Sequence, residues 1–219
     1  MKLYSYWRSS AAYRVRIALN LKQLDYQLLP VHLLNNGGEQ FSEHYHRLNP
    51  QHRLPALQLH DGRVLTQSMA IIEYLDESYS KPPLLPESAE GRAWVRSLAQ
   101  LIGCDIHPLN NLRVLRYLSD WGEHDSDQNA HWYRHWLQLG LSEFDAMLTQ
   151  APQDWCSKGR FCVGDSVSMA DLLLIPQLYN AHRYELDLSS LPRLLEIEQH
   201  CMSLEAFHQA APEQQPDAV

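Results

Sequence analysis

Two adjacent hydroxyls, Ser9 and Ser10, stand where a strand-like run, residues 2–6, gives way to a helical pattern. Behind them Tyr13, Ile17, Leu21 and Leu24 recur at helical spacing and outline one face of a helix over residues 10–24, with Val15 and Leu19 on the other side. A serine at a helix start is first of all an N-cap. The same place gathers unpaired backbone N–H groups and the positive end of the helix dipole, which together favour an anion, a thiolate included. Thr66-Gln67-Ser68 repeats the arrangement, with Ser68 opening a helix over residues 69–79 either as a cap alone or as a cap that also holds a carboxylate. Leu54-Pro55-Ala56 puts a proline on the threshold of a strand, as an ordinary strand start or as a cis turn that offers a backbone N–H and C=O to an extended ligand. In residues 103–113, Pro108 should kink a helix and hold His107, Asn111 and Arg113 within about two turns of one another, as a polar cluster or as solvated surface. Ser168 and Asp171 form a capping-box pattern, with Val167 and Leu172 placed as its hydrophobic staple; this motif is structural and starts the apolar helix through Leu172-Leu173-Leu174-Ile175-Pro176.

The bulk composition narrows the classes. The chain has 219 residues, 45% of them hydrophobic, enough for one large domain or two small ones. No run approaches the roughly 18 apolar residues of a membrane helix. The first residues lack a basic region followed by an apolar core, so neither a membrane segment nor a signal peptide is expected. A formal net charge of −8 argues against a general nucleic-acid binder and leaves room for a local basic pocket that takes a small acid. Cys104, Cys156, Cys162 and Cys201 form no CxxC pair and no regular framework, which fits free thiols in a reducing cytoplasm. Of the 12 histidines only His131 and His135 share an HxxxH spacing; Trp132-Tyr133-Arg134 between them lacks the glutamate of a zinc-protease motif, and no metal is assigned.

The elements that must position these residues fall into two parts. Residues 1–80 alternate short strand-like and helical runs. Strands are expected over residues 2–6 and 25–31, a helix over 42–47, and a hairpin of residues 56–60 and 64–66 around Asp61-Gly62. The order β-α-β-α-β-β-α suits a sheet with helices on both faces. Lys81-Pro82-Pro83-Leu84-Leu85-Pro86 marks a linker over residues 81–87, because prolines so close together cannot continue a helix. Residues 88–219 are expected to be helical, chiefly over 88–118, 128–149, 168–180 and 191–209, and to end in a frayed polar tail from Ala211.

Taken together these pieces resemble the zeta-class glutathione transferases, the family of maleylacetoacetate isomerase and bacterial maleylpyruvate isomerase. The resemblance runs through residues 3–10, Tyr13-Arg14-Val15-Arg16-Ile17-Ala18-Leu19, Leu54-Pro55-Ala56-Leu57, residues 67–75, Ile106-His107-Pro108-Leu109-Asn110-Asn111-Leu112, Val163-Gly164-Asp165 and Met169-Ala170-Asp171. It implies a thioredoxin-like α/β N-terminal domain, an all-α C-terminal domain and a homodimer. It departs from the pattern at Ala11, where the class commonly has cysteine, and the maleylpyruvate branch looks similar in lacking that thiol.

The resemblance also implies the chemistry. Glutathione would be the cofactor and a small diacid the substrate. The thiolate would add to the activated cis double bond and leave after rotation. Leu54 would pair with the glutathione backbone beside a cis Pro55, Gln67 and Ser68 would hold the γ-glutamyl end, and Gln40 would lie near the glycyl end. His107 and Asn111 would orient the cofactor or a carbonyl, and Arg8, Arg113 and Arg183 would hold carboxylates. Ser9 would donate to the sulfur, with Ser10 nearer the helix cap. Lowering a thiol pKa of about 8.5 by two units needs about 2.7 kcal/mol. A helix N-terminus gives about 0.3–1 kcal/mol, at best roughly 2. A charged hydrogen bond worth about 1.5–3 kcal/mol closes the gap. A conjugating transferase would show a more apolar pocket, and a non-catalytic scaffold would lack the serine or the Gln-Ser pair.

Overall fold

The computed structural model describes residues 1–152 and 159–218, and Cys156 lies outside them. They form two compact units, residues 1–83 with 202–219, and residues 84–201.

The first unit is thioredoxin-like. Its sheet has the order β2-β1-β3-β4, from β1 (Lys2–Ser5), β2 (Gln27–Pro30), β3 (Ala56–Gln58) and β4 (Val64–Thr66). β1 runs parallel to β2, while the β1–β3 and β3–β4 pairs are antiparallel. The short helix α2 (Glu43–Leu48) packs Tyr45 against Tyr4, Val31 and Ala56 on one face. Leu3 and Leu57, alternate residues in their strands, are fully buried on the other face. α1 (Ser10–Leu21) is buried on all sides from Ser10 to Leu19, so its weak amphipathic pattern marks a helix enclosed by protein. It ends before Leu24, at a left-handed Gln23, where the Leu24 N–H turns back to Leu19 O at 3.0 Å. α3 (Ser68–Ser78) completes the expected order.

Two expectations about the chain's ends are corrected. Residues 202–219 join the first unit rather than the helical one. α9 (Glu205–Ala210) lies along α1, where Asn20 Nδ2 donates to Ala206 O at 3.1 Å and Arg16 Nε to Ala210 O at 2.9 Å. The tail is not frayed: Gln215 is buried, and its Nε2 donates to Gln209 O and Ala211 O. Side-chain amides there satisfy main-chain carbonyls, a signal that polar composition alone hides. In the linker the Lys81-Pro82 bond is cis, and Leu84 and Leu85 are buried.

Among its described residues the second unit is helical, with α4 (Ala89–Gln100), a π-helical stretch Leu101–Ile106, α5 (Leu112–Gly122), α6 (Ser126–Gln150), α7 (Met169–Arg183) and the body of α8 (Pro192–Met202). None of the described helices is long and apolar enough to cross a membrane. The Ser168–Asp171 capping box is present, and fully buried Asp171 also accepts from Cys162 N at 2.8 Å. Gly140 on α6 lets the π-helical stretch approach, because a Cβ there would overlap Ile106 Cγ1 and Cδ1. Replacing a helical glycine with alanine normally gains about 1 kcal/mol. Here overpacking of about 1–3 kcal/mol opposes that gain. Gly140→Ala is therefore expected to lower the chemical-denaturation midpoint; a raised midpoint would contradict the packing account.

Candidate active site

The turn between β1 and α1 carries the first group of candidates. Ser9 N–H donates to Tyr6 O at 2.9 Å and closes the turn Tyr6-Trp7-Arg8-Ser9. Ser9, not Ser10, is the N-cap of α1: its backbone is extended, and its Oγ accepts from Ala12 N at 3.3 Å. Ser10 is already the first helical residue and is buried. The expectation that Ser10 lies nearer the helix cap is thus corrected, since the chain turns one residue earlier than the pattern suggests. A hydroxyl that accepts from Ala12 keeps its own proton to donate elsewhere. The Arg8 guanidinium lies 5.1 Å over the Trp7 ring.

Arg14 and Arg16, on opposite sides of Val15, are both buried, which the sequence did not suggest. Arg16 fastens the turn from below: Nη1 donates to Ser5 Oγ at 3.1 Å and Tyr6 O at 3.4 Å, and Nη2 to Trp7 O at 2.9 Å. Burial lowers its pKa to about 10, against the pull of nearby tyrosines and acids, so it stays charged near neutral pH. Arg14 Nη1 donates to Ser68 Oγ at 3.3 Å. Two arginines spaced i, i+2 read as polar surface until their acceptors are known.

Gln67 and Ser68 are placed by an unusual backbone. Gln67 has φ 69° and stands at the cap position of α3, so Ser68 is its first helical residue rather than its cap. A non-glycine residue in this region marks a local constraint, often at a functional site. The Gln67 side chain is exposed, with Nε2 donating to Gln51 Oε1 at 2.8 Å. The Leu54-Pro55 bond is cis. The Arg53 carbonyl just before it accepts from Tyr45 Oη at 2.6 Å and Asn49 Nδ2 at 2.8 Å, which anchors this loop to α2. Gln40 is turned inward at 3% exposure, and its Oε1 is buried without a hydrogen-bond partner among the described residues. His52 Nδ1 sits 2.8 Å from Gln40 O.

These groups fit glutathione. Ser68, which accepts from Arg14, has a proton for a carboxylate at the first turn of α3. The orphaned Gln40 oxygen is an acceptor for a peptide N–H.

The second unit holds His107, Asn111, Arg113 and Arg183. The kinked helix expected around Pro108 is a full break. The π-helical stretch ends at Ile106, and Asn111 caps α5 through Oδ1, which accepts from Arg113 N at 3.1 Å. Pro108 has no N–H to continue a helix. Asn111 therefore has a structural duty before any contact with a ligand. Arg113 is exposed on α5, and Arg183 is exposed at the end of α7. The Arg183 guanidinium lies 4.7 Å from the Tyr184 ring, which stacks on Tyr133 at 3.8 Å. Tyr133 O accepts from Asn110 Nδ2 at 3.2 Å, so one aromatic pair ties Arg183 to the segment that carries His107 and Asn111. No three His, Cys, Asp or Glu side chains among the described residues gather as a metal site. Cys104, Cys162 and Cys201 are free thiols, and burial pushes Cys162 and Cys201 up from the usual thiol range.

Proteins similar to this chain match it over nearly its whole length. Residues 8–78 match the family described as glutathione S-transferase, N-terminal domain. The chain is 48% identical to maleylacetoacetate isomerase of Pseudomonas aeruginosa, over 99% of this chain and 98% of that protein. It superimposes with a TM-score of 0.94 and 42% identity on holo maleylpyruvate isomerase, a bacterial zeta-class glutathione transferase, covering 100% of both chains. A maleylacetoacetate isomerase of Methylobacterium extorquens AM1, solved with bound malonate and glutathione, gives a TM-score of 0.94 at 38% identity, again over 100% of both chains.

Proposed function

We propose that this chain, which belongs to the zeta-class glutathione transferase family of maleylacetoacetate and maleylpyruvate isomerases, converts one of those two cis diacids to its trans isomer with glutathione as cofactor. When bound, glutathione supplies a thiolate that adds reversibly to the double bond and so frees it to rotate.

The chain's own residues have three tasks. Ser9 donates its hydroxyl proton to the sulfur, and this rests on the single observation that carries the reading: its Oγ accepts from Ala12 N at the head of α1, so the proton is free to point outward. The positive end of the α1 dipole adds its share of charge stabilisation. Gln67 and Ser68 hold the γ-glutamyl end, Leu54 pairs with the cofactor backbone beside the cis Pro55, and Gln40 serves the glycyl end. Arg8, Arg113 and Arg183 hold the substrate carboxylates, and His107 and Asn111 orient cofactor or carbonyl. Malonate in the Methylobacterium relative, a small diacid bound together with glutathione, supports the substrate class. Ala11, buried in α1, leaves no side-chain thiol beside Ser10, in keeping with a cofactor that is released unchanged. We place the protein in the cytoplasm as a homodimer.

The test is an isomerisation assay on maleylacetoacetate and maleylpyruvate with glutathione well below the substrate concentration. The expected result is complete cis–trans conversion of at least one of them with glutathione recovered intact. Consumption of one glutathione per substrate, with no trans product, would instead identify a conjugating transferase.

A further inference from the structure

The turn that presents Arg8 and Ser9 is held from two directions. Arg16 takes the carbonyls of Tyr6 and Trp7. At its centre the Trp7 N–H donates to Asp217 Oδ2 at 2.9 Å. Asp217 lies 210 residues further along the chain, in the tail. That tail is itself anchored. Gln214 N donates to Ala211 O at 3.1 Å, Gln215 Nε2 closes on Gln209 and Ala211, and Arg16 Nε takes Ala210 O. Arg16 therefore joins both ends of a closed circuit that runs from the turn into α1, across to α9 and back through Asp217.

The carboxylate is only partly satisfied by hydrogen bonds, although its charge helps to keep the buried Arg16 guanidinium protonated. Its second oxygen, Oδ1, is buried with no hydrogen-bond partner among the described residues. An acceptor atom buried without a partner is unfavourable in itself. What the carboxylate does achieve is geometric. A charge-assisted bond to Trp7 N–H fixes the second residue of the turn, and with it the direction in which Arg8 and Ser9 leave the turn.

We propose that Asp217 is a positioning residue for the active-site turn: the C-terminal segment acts as a strap whose carboxylate, through Trp7 N–H, holds Ser9 in register with the cofactor sulfur and Arg8 with the substrate. This rests on the reading of Ser9 given above. Two effects of Asp217 have opposite signs at the sulfur. Its negative charge alone disfavours a nearby thiolate, so removing the charge would lower the thiol pKa. Its hold on the turn favours the thiolate, so releasing the turn raises that pKa.

The experiment compares Asp217→Ala, Asp217→Asn and Ser9→Ala in the full chain. It reads kcat and the glutathione KM for isomerisation, the bound-thiol pKa by ultraviolet titration, and hydrogen exchange at the Trp7 amide. For Asp217→Ala the expected result is a fall in kcat of about tenfold to a hundredfold, the scale of an ångström-sized misplacement. A raised thiol pKa, fast exchange at Trp7 and a smaller change in KM than in kcat should accompany it. Asp217→Asn keeps an oxygen acceptor and should recover most of the kcat and of the Trp7 protection. A lowered thiol pKa in both Asp217 variants would overturn the inference, since Asp217 would then act only as a like charge. Global unfolding of Asp217→Ala would overturn it too, because the carboxylate would then serve the whole fold rather than the turn. If Ser9→Ala shifts the thiol pKa and Asp217→Ala does not, this inference alone fails. If Ser9→Ala leaves that pKa at its wild-type value, the reading of Ser9 fails and the inference falls with it.

Discussion

Ser9→Ala is expected to cut isomerisation at neutral pH at least tenfold. The dipole of α1 remains, but the sulfur loses a charged hydrogen bond worth about 1.5–3 kcal/mol. That corresponds to a rise of roughly one to two units in the bound-thiol pKa. The acidic limb of the pH–rate profile should move up by the same amount, and rate should return at higher pH as the thiol ionises there. Glutathione affinity should change less, because Gln67, Ser68 and Leu54 still hold the peptide. Ser9 is also the cap of α1, so the alanine should cost about 1 kcal/mol of stability as well. Ser9→Gly separates the two effects: glycine caps to within a few tenths of a kcal/mol but has no hydroxyl, so it should lose the rate and keep the stability. Ser10→Ala removes neither the cap nor the proposed donor. Steady-state rates across pH, with urea denaturation of the same variants, check all three; a Ser10→Ala defect as large as that of Ser9→Ala would reverse the assignment.

Asp171→Ala should be the most damaging of the structural changes, at about 3–5 kcal/mol. The side chain is fully buried at the head of α7 and accepts from Cys162 N, Ser168 N and Ser168 Oγ, each at 2.8 Å. Removing it strands two main-chain donors and a hydroxyl in the interior of the second unit. Burial pushes the Asp171 pKa up, and the same donors pull it down. Domains of this kind are commonly stable by only about 5–15 kcal/mol, so the variant should fold marginally. Asp171→Asn should fall between, because one oxygen still accepts while the amide nitrogen faces a donor. Denaturant midpoints give the comparison, and a loss below about 1 kcal/mol for the alanine would contradict the network's role.

The elements were largely legible because their patterns are local. Asp61-Gly62 between two short apolar runs gives the observed hairpin, with Gly62 at φ 88°. The Ser168–Asp171 box and its staple residues start a helix where they should. The errors fall where long-range contacts decide. Pro108 ends a helix instead of kinking it, because Asn111 is available to cap a new one. The polar tail, with no periodicity of its own, is ordered by Arg16 and by its own glutamine. The site residues split in the same way. Ser9, Ser68 and Leu54 sit beside turn and cap signals that sequence carries. The supports beneath them (Arg14 under Ser68, Arg16 and Asp217 under the turn) are distant in sequence or sit in a buried helix, and their roles appear only once their acceptors are in place. Gln67 shows a third case, since nothing in Thr-Gln-Ser announces a glutamine with φ 69°.

The central claim is that the start of α1 and the Ser9 hydroxyl together make bound glutathione a thiolate at neutral pH. Ultraviolet titration of glutathione bound to the wild-type protein tests it most directly. The account predicts ionisation about two units below the free thiol value of roughly 8.5, with most of that shift lost in Ser9→Gly. A bound thiol that titrates as it does free in solution, or a shift that survives intact in Ser9→Gly, would contradict it.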